Sequence, residues 1–213
     1  MKRRYDEPLT PRLDPAGLPE RDRPSLTLDA IAKDLRKRDF GVLTTVGEDG
    51  RPDSVGVNYG VSLSEAPFSI YVMTRRHLKK ARNIAVNPSI SFIVPLTRRL
   101  LWFLPPPTIR FQGQAEILDW RVATGVQVFK SFLMGRQILR KYQEAFDRGE
   151  TRVCFLRITP DAEVSTYMVG YPVWEISRRM ETGSATVPVP ERETDDPRRR
   201  SGRILPQHGT PPA

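Results

Sequence analysis

Hydrophobic and polar positions change period several times along this chain, and each change marks an element. Residues 25–38 put Leu28, Ile31 and Leu35 on one stripe at helical spacing, with Ser25 or Thr27 available as a cap and Gly41 as a stop. A short helix is expected there. Period two then takes over: residues 40–46 are apolar and β-branched, Gly47-Glu48-Asp49-Gly50 carries turn chemistry, and Val55 and Val57 alternate through 52–60. That predicts a hairpin. Residues 68–74 and 89–95 read as a third and a fourth strand, separated by a helix over 77–86 that Asn87-Pro88 ends. Three consecutive prolines, Pro105 to Pro107, leave 96–107 an apolar loop. In 108–118, Ile109, Phe111, Ala115 and Ile117 face one side, and Arg110, Gln112, Gln114 and Glu116 the other. Val126, Phe129, Leu133, Ile138, Tyr142 and Phe146 recur at helical intervals and predict one long amphipathic helix over 122–146. Strands at 152–159 and 164–169 close the set. Connections this short leave little room for parallel crossovers, so the chain reads as mainly β, an antiparallel barrel with flanking helices.

Composition adds the domain limits. The chain has 213 residues, enough for one domain with a sizeable core. Its ends, 1–24 and 181–213, hold 11 of the 20 prolines and almost no periodic apolar pattern, which predicts disordered extensions around a domain at 25–180. Of the net charge of +9, those ends contribute +1 and 0, so the domain carries +8 and favours an anionic ligand or a polyanion. No aromatic residues interleave with a basic strand, so specific nucleic-acid binding is not expected. One cysteine, Cys154, excludes an internal disulfide, and with only His77 and His208 there is no zinc constellation. The start of the chain lacks the apolar stretch of a signal peptide and no long apolar run occurs, which predicts a cytoplasmic protein with no membrane partner.

The strongest chemical signal is Thr74-Arg75-Arg76-His77-Leu78-Lys79-Lys80-Ala81-Arg82, with five permanent positive charges in nine residues where a strand hands over to a helix. Cations at a helix start oppose the helix dipole by a few tenths to about 1 kcal/mol each. Phosphate reverses the sign, because free N–H groups, a hydroxyl and Lys/Arg side chains together form an anion cradle. A basic turn facing water is the alternative.

The ordered set Leu43-Thr44-Thr45-Val46-Gly47-Glu48-Asp49-Gly50-Arg51-Pro52, Ile70-Tyr71-Val72-Met73-Thr74, Lys79-Lys80-Ala81-Arg82-Asn83-Ile84 and Asn87-Pro88-Ser89-Ile90-Ser91 resembles the pyridoxamine 5′-phosphate oxidase-like family of flavin-binding split barrels. The resemblance implies a six-stranded antiparallel Greek-key split barrel, a homodimer, and FMN or the deazaflavin coenzyme in a groove between subunits. By position it places cofactor phosphate on Thr74, Lys79 and Lys80, with Arg75 and Arg76 nearby. It aligns Thr44, Thr45, Val57 and Asn58 with ring-lining positions, and Gln112 and Gln114 with ring or substrate contacts; for all six, ordinary pairing within the barrel is the alternative reading. The implied activity is an oxidoreductase that transfers a hydride between the flavin and a small organic substrate, without an acid–base dyad. Vitamin B6 oxidation is not expected, because the tail around Arg198-Arg199-Arg200 does not reproduce the basic and histidine contacts of that substrate site. Residues 100–104 are a candidate substrate wall, with Trp102 and Phe103 alternatively in the dimer interface. Cys154 reads as a small core residue. A flavin or haem carrier without turnover, and a polyanion-binding module, are the rival classes.

Overall fold

The computed structural model describes residues 26–65, 67–96, 106–170 and 183–190. Its first element, α1 (Leu28–Arg36), starts where Thr27 takes up an extended conformation and its hydroxyl accepts from Ala30 N at 3.2 Å. Ile31, Ala32 and Leu35 form the buried face. Five strands follow where the sequence predicts them: β1 (Phe40–Val46), β2 (Pro52–Ser62), β3 (Ser69–Arg75), β4 (Ser89–Pro95) and β5 (Thr108–Asp119), with α2 (Lys79–Val86) between β3 and β4. Leu96 N donates to Pro107 O at 2.7 Å and joins the ends of the expected apolar loop. The interior of that loop, with the residues proposed for a substrate wall, lies outside the described residues.

Three expectations are corrected after β5. The single helix over 122–146 is two, α3 (Ala123–Lys130) and α4 (Leu133–Asp147). Between them Ser131 Oγ bonds back to Val128 O at 2.6 Å and Phe132 is extended. The close turn needs Gly135, where a Cβ would stand 2.2 Å from Phe129 O. Apolar spacing hides the break because both helices bury against the same surface. The two closing strands are one, β6 (Val153–Tyr167). Its middle residues Asp161, Ala162 and Glu163 lie opposite Gln112 alone, a bulge that seats Pro160 against Gly113. Finally, within the segment 181–213 read as a disordered tail, Ser184–Pro188 is a strand, β7, paired antiparallel with Glu163 to Tyr167 of β6. The proline-rich surroundings obscured it, and its own Pro188 is tolerated because it ends an edge strand.

Hydrogen bonding runs in the order β3-β2-β1-β4-β5-β6, and β6 closes back on β3, giving a six-stranded antiparallel barrel. β5 pairs with β6 along most of its length, whereas the first half of β6 pairs with β3 and the second with β7. The sheet therefore divides at the bulge. Inside the barrel Leu43, Tyr59, Phe92, Ile109, Phe111 and Leu156 form the main core. Tyr59 meets Phe92 edge-on, and its hydroxyl donates to Leu35 O at 2.9 Å, fixing α1 to the barrel. A second core lies outside the barrel, where Tyr71, Met73, Val153 and Phe155 meet Val128 and Phe129 of α3. β3 is thus buried on both faces, which explains its nearly unbroken apolar sequence. Among the described residues no helix is long and apolar enough to cross a membrane.

Candidate anion-binding cleft

The last residues of β3 turn sharply into α2, with Arg76 N donating to Arg152 O at 2.8 Å and Leu78 N to Arg75 O at 3.1 Å. At the helix start the N-cap is Leu78, which supplies no capping side chain, and the first turn has no acid. The first-turn N–H groups and the positive end of the dipole therefore lack the usual side-chain compensation. Beside this start, Thr74 sits opposite Cys154 in the β3–β6 ladder and is 1% exposed. Its Oγ1 is buried and has no hydrogen-bond partner among the described residues. Buried hydroxyls nearly always have one, and leaving one unpaired costs about 1–3 kcal/mol.

Thr74 opens into a cleft of about 190 Å³ that Val57, Asn58 and Lys80 also line, at the seam between the barrel and the α3–α4 pair. Lys80 is half-buried, and desolvation lowers its pKa, against smaller opposing effects of Cys154 and Asp53. It makes no ion pair among the described residues. The far wall is apolar and aromatic: Phe129 of α3, and Ile138 and Tyr142 of α4. Burial raises the pKa of Tyr142, whose ring stacks under the Arg75 guanidinium at 5.1 Å. Cys154 is fully buried, and desolvation pushes its thiol up to about 11, so it is inert as a nucleophile at neutral pH.

The other expected site residues fall elsewhere. Lys79 points away from the cleft and pairs with Asp53 at 2.9 Å. Arg75 lies 3.6 Å from Glu150, which also takes two bonds from the Arg152 guanidinium, at 2.9 and 3.0 Å. Those Arg152 bonds hold the Glu150 carboxyl down at about 2. Thr44 pairs with Ser54 at 2.8 Å, and buried Thr45 accepts from Asn83 Nδ2 at 3.0 Å, tying α2 to β1. Gln114 reaches Asp161 at 3.4 Å on the far side of the sheet. Near it a larger hollow of about 340 Å³ sits at the β6 bulge, lined by Arg110, Gln112 and Asp161 among others. Among the described residues that hollow has no helix start and no buried unpaired polar atom, so the smaller cleft is the better site. The sequence reading missed Tyr142 and Ile138, whose spacing marks them only as core, and Asp53 and Glu150, which reach the corner from distant segments.

A family model described as pyridoxamine 5′-phosphate oxidase matches residues 27–165, most of the barrel. The chain belongs to this family. The oxidase-family barrel recurs in solved structures. A heme binding protein from Mycobacterium smegmatis is 17% identical, covering 68% of this chain and 54% of that one, with a TM-score of 0.50. A conserved hypothetical protein from Mycobacterium tuberculosis is 18% identical over 87% of this chain and 94% of its own, at 0.49. A pyridoxamine 5′-phosphate oxidase-related, FMN binding protein from Nostoc punctiforme is 16% identical over 65% and 82%, at 0.47. At these identities the likeness is one of fold. No curated protein sequence matches the chain.

Residues of the cleft fit the phosphate end of a flavin mononucleotide. A buried hydroxyl and a half-buried ammonium, neither with a hydrogen-bonded or ion-pair partner among the described residues, and a helix start with no side-chain cap converge there. The apolar wall of α3 and α4 suits a flat ring better than a second charged group.

Proposed function

We propose that this protein is a flavin-dependent oxidoreductase that binds FMN through its phosphate at Thr74, Lys80 and the start of α2. The observation that carries this reading is the Thr74 hydroxyl, buried and unpartnered in the same cleft as Lys80. When bound, the flavin supplies hydride chemistry to a small organic substrate. The chain's own residues bind, orient and exclude water: Thr74 donates to a phosphate oxygen, Lys80 supplies charge, and Ile138 and Tyr142 shield the ring side. The deazaflavin coenzyme carries phosphate too and satisfies the same end. A haem carrier would need an iron ligand from Met73 or Tyr142, since the cleft offers no imidazole or thiolate, and would leave the phosphate-binding features of Thr74 and Lys80 unused.

The protein acts as a homodimer in this reading. Large apolar side chains stand exposed beside the cleft and on the helix that walls it: Phe40, which pairs with Asn58, is 50% exposed, and Leu133, at the start of α4, is 75% exposed. A second chain covering these faces would bury both. The test is an absorbance spectrum of the purified full chain together with sedimentation. Flavin bands, or flavin uptake on adding FMN, in a species twice the chain mass support the reading. A Soret band, or a monomer that binds no flavin, counts against it.

A further inference from the structure

The corner between β3 and α2 is rich in cations, yet its carboxylates are arranged against the anion. Lys79, the first residue of α2, is held at 2.9 Å by Asp53. Arg75, the last residue of β3, is held at 3.6 Å by Glu150 while stacking on Tyr142. Neither carboxylate is a capping group of α2. What remains for a ligand in the cleft is Thr74, Lys80 and the N–H groups of the helix start. We propose that Asp53 and Glu150 are internal competitors that hold this anion site at part strength, so that its phosphate-bearing ligand exchanges with solution instead of staying as a resident group. The proposal rests on the reading that the cleft takes such a ligand.

An incoming phosphate has two options. It can draw Lys79 away from Asp53, which leaves that carboxylate unpaired close to the new anion. Or it can leave the pair intact and do without Lys79. Either route lowers affinity: the first adds like-charge repulsion, and the second divides the population between a paired and a binding-competent Lys79. Asp53 has a second effect, since its field helps Lys80 to keep its proton. It is therefore a tuning residue and not a defect. Glu150 acts in one direction only. Arg152 bonds it through Nε and a terminal nitrogen and keeps it ionised, so it does not release Arg75 under ordinary conditions. A resident cofactor site would be expected to direct these cations inward. An exchanging site needs enough charge to recognise phosphate and too little to retain it.

The experiment uses the full chain, with FMN and riboflavin as probes that differ only in the phosphate. Wild type is expected to bind FMN with a dissociation constant on the order of micromolar and to lose it on gel filtration. Asp53→Asn is expected to tighten FMN by about three- to tenfold, with riboflavin unchanged. Glu150→Gln should tighten it less. Asp53→Glu, which keeps the charge, should bind as wild type, and the gain from Asp53→Asn should shrink when Lys79 is Ala. Wild type that binds FMN but keeps one equivalent through prolonged dialysis overturns the inference, as does an Asp53→Asn protein whose FMN affinity is unchanged or weaker. Equal binding of FMN and riboflavin by wild type would instead remove the phosphate reading itself, and the inference with it.

Discussion

At the β2–β3 end of strand β3, the Tyr71 hydroxyl donates to Glu65 at 2.9 Å, and Arg157 lies between Glu65 and Glu116, so each carboxylate has a cationic partner. Burial and the Glu65 contact push the Tyr71 hydroxyl up to about 12. At the opposite end of the same strand, Thr74 has no partner and Lys80 has no counter-ion among the described residues. One oxygen of Glu65 is also unpaired, but its other oxygen accepts two bonds, whereas Thr74 Oγ1 makes none. Both ends flank the same second core under α3. The difference teaches where to look for a ligand: the satisfied cluster stabilises the fold, and the unsatisfied one is stable only at a cost that a bound anion would offset.

The largest expected effect separates the two ends directly. Replacing Thr74 by Val and Lys80 by Ala together should weaken FMN binding by about 2–4 kcal/mol, from the loss of charged hydrogen bonds with allowance for non-additivity. The free protein should melt no lower than wild type, because the change removes a buried hydroxyl and a half-desolvated ammonium that have no partners. A clear drop in melting temperature would assign these residues to the fold. The converse change, Arg157→Met, should lower stability by about 1–2 kcal/mol in denaturant unfolding, below the range for a fully buried pair because a third of the side chain is exposed. It should leave FMN affinity within about twofold.

Tyr142→Ala tests the wall instead of the anion. It should weaken FMN and riboflavin alike, by about 1 kcal/mol, since the ring contact is apolar and independent of phosphate. Loss of FMN binding alone would place Tyr142 at the phosphate.

The smallest effect is a slope in pH. Burial lowers the Lys80 pKa below 10.5, so the unfolded chain holds that proton more tightly than the folded one. Stability contributed by this site is therefore lowest below the folded pKa and rises with pH through the window up to 10.5. Anion affinity runs the opposite way and falls with pH in that window as the ammonium is lost. Glu150 contributes no slope near neutrality. Its stabilising effect is present above the ordinary carboxylate range and is lost only as pH falls towards about 2.

Much of this was readable from the chain, and the exceptions have physical causes. Strands β1 to β5 showed through alternation or turn chemistry because their faces differ in burial or their ends carry Gly, Asn and Pro. The break between α3 and α4 did not, since Ser131 and Phe132 do not interrupt the apolar period. β7 was hidden by the proline-rich composition of the segment around it, including Pro188 at its own end. In the cleft, Thr74 and Lys80 were legible because cations at a helix start are anomalous. Lys79 carried the same signal, yet it is turned outwards by Asp53, 26 residues away. Such a pairing depends on the β1–β2 hairpin lying beside α2, which no local pattern encodes.

The central claim is that the cleft at the β3–α2 corner recognises phosphate. Side-by-side fluorescence titration of FMN and riboflavin into the wild-type full chain, at one ionic strength, tests it most directly. Saturable FMN binding at least about tenfold tighter than riboflavin is predicted, from at least one charged hydrogen bond to the phosphate, with the gap closing as salt is added. Indistinguishable affinities, or a preference for riboflavin, would contradict it.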